Sequence, residues 1–306
     1  MSARYDCADP AQLLEGIAEA ESALRRGELV VLPTDTVYGV AAEAFDPVAV
    51  DRLLKAKGQS RDMPPSVLVG TVRAAMALVM DVADTGTDLI DEFWPGGLTL
   101  VCRSSPTLVW DLGETKGTVA VRMPLHHVAL DLLKKTGPLA VSSAKSAAGT
   151  SMPTTAAEAE AQLGDAVAVY LDAGPCPGDV PSTIVDLTGS VPRLLRRGVI
   201  PVERLQDVVP LAIVDDVDSD GDPDVGPGEV PEEAAAEQGS PEDESPERQA
   251  GEARAPVDEV PESAEEAAPE SSAGSVPEDT GQPREVFHGL QDAADQGNRA
   301  GEDAPQ

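Results

Sequence analysis

Several familiar catalytic templates are missing from this 306-residue chain. There is no Gly-x-x-x-x-Gly-Lys-Ser/Thr phosphate loop and no Gly-x-Gly-x-x-Gly dinucleotide turn. No Gly-x-Ser-x-Gly elbow offers a nucleophile, and no Cys/His cluster has metal-ligand spacing. An enzyme on such a chain is expected to work by holding its reactants, with no covalent nucleophile and no metal site of its own. Cysteine is scarce. Cys7, Cys102 and Cys176 lie far apart and read as reduced thiols rather than a disulfide framework. Positive charge is scarce too, with 22 Lys+Arg against 55 Asp+Glu and a net charge of −33. That balance argues against direct nucleic-acid binding, which usually needs a basic face. No apolar run approaches the ~20 residues needed to span a membrane. The first residues show no basic-then-apolar signal segment. The expectation is a cytoplasmic protein without a membrane partner.

The acidity is unevenly spread. Residues 1–210 carry 18 Lys+Arg and 27 Asp+Glu, a net of −9, whereas residues 211–306 carry 4 and 28, a net of −24. The first part holds the apolar runs and both tryptophans and is long enough for one domain with a real core. The second is rich in Pro, Gly, Glu, Asp, Ala and Ser, with Phe287 as its one aromatic residue. Such a composition buries too little apolar surface to offset the entropy of ordering, so 211–306 is expected to be a disordered acidic tail. Its recurring Val-Pro-Glu at 230–232, 260–262 and 276–278 reads as low complexity. The tail's partner is not indicated.

Helix and strand signals alternate through the first part. Asp9-Pro10-Ala11-Gln12 looks like a helix start, and Leu13, Ile17, Ala20 and Leu24 then recur at helical spacing up to Gly27. Leu29–Leu32 reads as a buried strand. Helices are expected from Asp46 to about Ala56, over 72–80, 85–93 and 126–135, from Thr155 (with Glu158 as its capping partner) and from Pro201. Strands are expected at 67–69, 98–103, 118–122, 139–142, 166–171, 183–187 and 193–196. Some links, such as 98–103 to 118–122, contain no helix, so the sheet should be mixed. The class is α/β, in three layers: a single twisted mixed sheet flanked by helices.

The most informative stretch follows the first strand: Pro33-Thr34-Asp35-Thr36-Val37-Tyr38-Gly39. Pro33 stops the strand and Gly39 lets the chain turn away, so two threonines, an aspartate and a tyrosine arrive at one place. Further strings follow in order: Lys57-Gly58, Trp94-Pro95-Gly96, Val119–Pro124, Ser142-Ser143-Ala144, Pro181–Asp186 and Leu195-Arg196. Together they resemble the signature of the YrdC-like family, the threonylcarbamoyl-AMP synthases, over roughly residues 10–208.

That resemblance implies a deep concave site in which L-threonine, bicarbonate or CO2 and ATP become threonylcarbamoyl-adenylate and pyrophosphate. The product would pass to a tRNA-modifying transferase complex. Mg2+ would arrive with ATP, held mainly by phosphates and water. Thr36, Arg122 and Ser182 match contacts to threonine, with Arg122 read as an unpaired guanidinium suited to a carboxylate. Lys57, Gln59, Thr118, Ser143, Lys145 and Arg196 fall at the positions that grip ATP. Arg196 should face inward and Arg197 solvent. His126 and His127 read as helix-start residues, and Tyr38 as either pocket wall or packing.

Two positions depart from the family's pattern. Its Lys-x-Arg pair reads Lys57-Gly58-Gln59 here, and its Ser-x-Asn pair reads Ser143-Ala144-Lys145. Glutamine cannot supply a charged fork to phosphate; Arg61 and Lys145 would restore the charge if the loop bends. Two other readings therefore stand beside the synthase: a relaxed paralogue that binds a nucleotide or carbamoylated ligand, and a carbamoyl transferase acting on another acceptor.

Overall fold

The computed structural model describes residues 2–149 and 151–213. All but the first three residues of the expected tail lie outside the described residues. In chain order the elements are β1 (Ala3–Asp6), α1 (Pro10–Arg25), β2 (Leu29–Leu32), β3 (Gly39–Glu43), α2 (Pro47–Lys57), β4 (Ser66–Leu68), α3 (Val72–Leu78), β5 (Val79–Met80), α4 (Asp84–Phe93), β6 (Leu98–Ser104), β7 (Thr118–Arg122), α5 (His127–Thr136), β8 (Leu139–Ser143), α6 (Ala156–Leu163), β9 (Val167–Asp172), β10 (Thr183–Asp186), β11 (Arg193–Arg196), α7 (Val202–Gln206) and β12 (Ala212–Ile213). The strands form one sheet in the order β1-β9-β2-β3-β8-β4-β7-β6-β10-β11-β12, with β5 paired to β6.

The sheet is mixed, as the helix-free links predict. The pairs β2–β3, β3–β8, β4–β8, β6–β7 and β10–β11 run antiparallel. The pairs β1–β9, β2–β9, β4–β7, β6–β10 and β11–β12 run parallel. The last pairing carries the sheet to Ile213, three residues beyond the boundary drawn from composition.

Helix ends follow local chemistry. Asp9 caps α1 by accepting from the Ala11 amide, and Asp46 caps α2, which stops at Gly58 in the left-handed conformation. Thr155 and Glu158 form the expected capping box of α6. Strand β2 is apolar on both faces because helices cover both of its faces. Val30 and Leu32 pack with Ile17, Leu24, Leu132 and Leu133 of α1 and α5, while Leu29 and Val31 pack with Leu53, Ala159 and Leu163 of α2 and α6. A third cluster joins α3, α4 and α7 to β4, β6, β7, β10 and β11 around Leu98, Leu100, Val121 and Val185. Cys7, Cys102 and Cys176 are free thiols. Burial pushes Cys7 up to about 11 and Cys102 up to about 12, so both stay protonated and unreactive near neutrality. Among the described residues no helix is long and apolar enough to cross a membrane.

The structure corrects four expectations. β1 and β3 have no counterpart among the predicted strands. The helix expected over 72–80 ends at Leu78, and Val79–Met80 pair with β6 instead. The expected helix at 126 begins at His127, with His126 as its N-cap residue. Gly39 does not turn the chain away; it opens β3 opposite Leu32. Its side-chain hydrogen serves crowding, since a Cβ there would lie 2.7 Å from Val141 Cγ1. Gly39→Ala is therefore expected to lower unfolding free energy by about 1–3 kcal/mol, the usual range for overpacking a filled interior. Urea denaturation of the two proteins measures it.

Candidate functional site

The middle of the sheet has one face that no helix covers. Strand periodicity explains what lines it. Along β6, Leu98, Leu100 and Cys102 point into the core, and Thr99 and Val101 point the other way. Along β7, Thr118, Ala120 and Arg122 share that open face. The loop from Pro33 to Tyr38, the ends of β8 and β10, and β11 complete the wall. Together they surround a cavity of about 930 Å3, counted out to its open mouth.

Six residues singled out from the sequence line this cavity: Thr36, Arg122, Ser182, Thr118, Ser143 and Arg196. They come from segments up to 160 positions apart in the chain, and the sheet alone brings them together. Arg196 lines the cavity and Arg197 is exposed, as the strand's alternation requires.

Arg122 is the most constrained of them. It is almost wholly buried, at 6% exposure. It is not unpaired. Its Nη2 donates to Asp35 Oδ1 at 2.7 Å, its Nη1 to Thr36 Oγ1 at 3.0 Å and its Nε to the Gly96 carbonyl at 2.9 Å. Burial pushes the guanidinium down from its usual range, and Asp35 opposes that shift. Asp35 Oδ1 also accepts from the Leu125 amide at 2.8 Å, so the carboxylate is itself held from two sides. Three of the five guanidinium hydrogens thus have protein partners, and the residue still lines the cavity. Asp35 has no assigned role in the sequence reading; its place between two threonines of the heptapeptide was the available signal.

Within the same loop, Thr34 Oγ1 donates to the Val37 carbonyl at 2.7 Å and sits 3.0 Å from Thr36 Oγ1. Tyr38 is fully buried and also lines the cavity, so both of its readings hold. Its hydroxyl donates to the Gly174 carbonyl and accepts from the Ala173 amide. On the far wall, Arg196 donates through Nε and Nη2 to the Ser182 carbonyl, and through Nη2 to Ser182 Oγ at 3.0 Å. Thr118 Oγ1 donates to the Thr115 carbonyl.

Lys57, Gln59 and Lys145 do not line the cavity. Lys57 lies behind its wall, buried, with Nζ donating to the Ser143 carbonyl at 2.8 Å and to Ser143 Oγ at 2.9 Å. Its ammonium positions Ser143 from behind. Gln59 and Lys145 are half-buried on two loops that meet where Gly58 faces Ala147, since a Cβ on Gly58 would stand 2.7 Å from the Ala147 Cβ. The two departures from the family pattern thus lie on touching loops. Arg61 does not turn inward to restore charge. It pairs with Asp111, and its carbonyl accepts from the Glu114 amide, so it ties the loop after α2 to the β6–β7 link. Pro64, Pro65, Leu112 and Thr115, on those two tied segments, line the cavity without any signal in the sequence.

The two histidines stack on each other outside the cavity lining. Burial lowers the His126 pKa, the neighbouring His127 adds to that, and Asp35 opposes it. Its buried Nδ1 has no hydrogen-bond partner among the described residues.

Removing the charge opposite Arg122 should be costly, because it leaves a buried guanidinium uncompensated. Asp35→Asn is expected to lower unfolding free energy by about 3 kcal/mol. Chemical denaturation measures this, and a change below about 1 kcal/mol, the range of exposed pairs, would contradict it.

Comparison with known proteins identifies the family. The family described as "Telomere recombination", which groups Sua5, YciO and YrdC, matches residues 22–198. A putative threonylcarbamoyl-AMP synthase of Mycobacterium tuberculosis (strain CDC 1551 / Oshkosh) is 53% identical over 209 residues, covering 68% of this chain and 96% of the relative. The threonylcarbamoyl-AMP synthase of Pyrococcus abyssi is 36% identical over 187 residues, covering 61% of this chain and 55% of the relative. The crystal structure of P. abyssi Sua5 complexed with L-threonine superposes with a TM-score of 0.62 at 33% identity, covering 70% of this chain and 62% of that one. This chain spans less than two thirds of the length of both P. abyssi chains. It belongs to the Sua5/YciO/YrdC family.

Proposed function

We propose that this protein is an L-threonylcarbamoyladenylate synthase that acts in the cytoplasm and passes its product to a tRNA-modifying transferase complex. One observation carries the reading. Thr36, Arg122 and Ser182, the residues matched to threonine, line a single cavity together with Thr118, Ser143 and Arg196, matched to ATP. The 53% identity to a putative synthase over nearly its whole length supports it independently.

The chemistry suits a site without a nucleophile. The threonine amine combines with bicarbonate to give a carbamate and water. A carbamate oxygen then attacks the α-phosphorus of ATP, and pyrophosphate leaves. Holding three reactants in one cavity replaces encounters in solution, a contribution of order ~7–11 kcal/mol in favourable cases. On this reading Arg122 faces the threonine carboxylate with its remaining N–H groups, while Asp35 keeps the guanidinium oriented. Thr36 and Ser182 add hydroxyl contacts. Arg196 places positive charge beside the phosphates, where charge builds up during transfer. Ser143, braced by Lys57, and Thr118 contact the nucleotide. Gln59 and Lys145 border it from the loops that meet at Gly58 and Ala147. Mg2+ enters as part of the nucleotide substrate, held by phosphate oxygens and water. The concave cavity would limit the access of bulk water to a carbamate and a mixed anhydride that hydrolyse readily.

The catalytic unit, drawn at residues 1–210 from composition, would extend to Ile213, with the pairing at Ala212–Ile213 as its last element. The remainder of the acidic segment, beyond Ile213, would be one that the fold does not require.

Pyrophosphate release from the full chain with L-threonine, bicarbonate and MgATP tests the activity. Release that depends on threonine is expected, and its absence from folded protein would overturn the synthase. The relaxed-paralogue reading is motivated by Gln59 and Lys145. The double variant Gln59→Arg/Lys145→Asn is expected to stay within a few-fold of the unmodified protein. Activity appearing only in that variant would favour the paralogue. Truncation after Ile213 is expected to move the melting temperature by less than about 2 °C, the effect of under one kcal/mol in a domain of this size.

A further inference from the structure

Thr99 sits on the cavity floor with no role in the reading above. Its side chain is 1% exposed, and its Oγ1 has one hydrogen-bond partner among the described residues, Ser182 Oγ at 2.8 Å. Ser182 is 6% exposed and also accepts from Arg196 Nη2 at 3.0 Å. Both residues line the cavity.

Counting donors and acceptors narrows what this pair can do. A serine hydroxyl has one hydrogen and two lone pairs. Arg196 has no acceptor to offer, so it occupies one Ser182 lone pair in every arrangement. If Thr99 donates to Ser182, the second lone pair is filled, and the Ser182 hydrogen has only the cavity left. If Ser182 donates to Thr99, the Thr99 hydrogen is the one left over. Either way the pair presents one O–H to a ligand, and a ligand oxygen beside Ser182 selects the first arrangement. In that arrangement two donors polarise Ser182 and fix the direction of its hydrogen.

We infer that Thr99 is a positioning residue for the amino-acid substrate: it donates to Ser182 and thereby aims the Ser182 O–H at a substrate oxygen. Strand alternation supports this placement. Thr99 is the polar residue between Leu98 and Leu100, on the strand that pairs in parallel with β10, where it stands opposite Ile184, two residues on from Ser182. A hydroxyl needed only for solubility would not be buried here, and an apolar residue would fill the same space.

The inference rests on the cavity's being a threonine site, and the experiment separates the two. Threonine-dependent pyrophosphate release by the unmodified protein is measured first; its absence would sink the proposed function before Thr99 is considered. In an active protein, Thr99→Val keeps the shape and removes the hydroxyl. The expected result is an increase of about fivefold in KM for threonine, the size of one net hydrogen bond, with kcat and the KM for ATP each changed less than about twofold. Thr99→Ser restores the hydroxyl and should restore the threonine KM. An unchanged threonine KM in Thr99→Val would overturn the inference. So would equal rises for threonine and ATP, or a Thr99→Ser protein that behaves like Thr99→Val. If Thr99→Val does not fold, Thr99→Ala takes its place with the same expected result. Failure of both, with Thr99→Ser folded, would assign the hydroxyl to stability and overturn the inference as well.

Discussion

A guanidinium buried to 6% exposure is the constraint around which this protein is arranged. Desolvating such a group costs several kcal/mol unless charge and hydrogen bonds replace the lost water. Arg122 obtains them from two separate segments: Asp35 and Thr36 of the loop after β2, and the Gly96 carbonyl before β6. Those segments must meet at the end of β7 for the fold to be stable. Their meeting is also what builds the amino-acid half of the cavity. Stability and site assembly are therefore the same event here, and Asp35 serves both.

The opposite wall repeats the arrangement with a gentler interaction. Arg196 closes on the carbonyl and hydroxyl of Ser182, and Ser182 leans on Thr99. Behind a third wall, Lys57 braces Ser143 from outside the cavity. In each case a cation organises a hydroxyl or loop that faces the ligand. An acidic protein can in this way keep a local positive field where phosphates and carboxylates must bind. The field is made by a few buried or half-buried cations and owes nothing to the net charge.

The departures from the family pattern look different in three dimensions. On paper Gln59 and Lys145 stand 86 positions apart in one proposed nucleotide grip. In the structure they occupy two touching loops beside the cavity rather than its lining. Charge compensation by Arg61 was a reasonable expectation, since it lies two residues beyond Gln59. The chain instead commits Arg61 to Asp111 and to the Glu114 amide, so the residue shapes the rim. No local signal could reveal that choice, because Asp111 is distant in sequence.

Much of the fold was legible in the residues themselves. Caps at Asp9, Asp46 and Thr155, the stop at Gly58, and apolar strands such as Leu29–Leu32 act over a few positions, where backbone sterics and hydrogen bonding decide. The mixed sheet followed from links too poor in helix signal to cross over. β1 and β3 escaped notice because one is a short, half-exposed edge strand and the other begins at a glycine whose purpose is a cross-strand contact with Val141. Six of the nine proposed ligand residues line the cavity, because the motifs that carry them lie at strand ends, where side chains reach an open face. The sequence alone determined which groups are available: two threonines and an aspartate after a strand, an arginine ending another, a serine opening a third. Tertiary structure decided which of them are partners. Whether Arg122 is paired, what Lys57 braces and which hydroxyl stands beside Ser182 depend on atoms brought together from opposite ends of the domain, and those contacts exist only once the sheet has closed their separation.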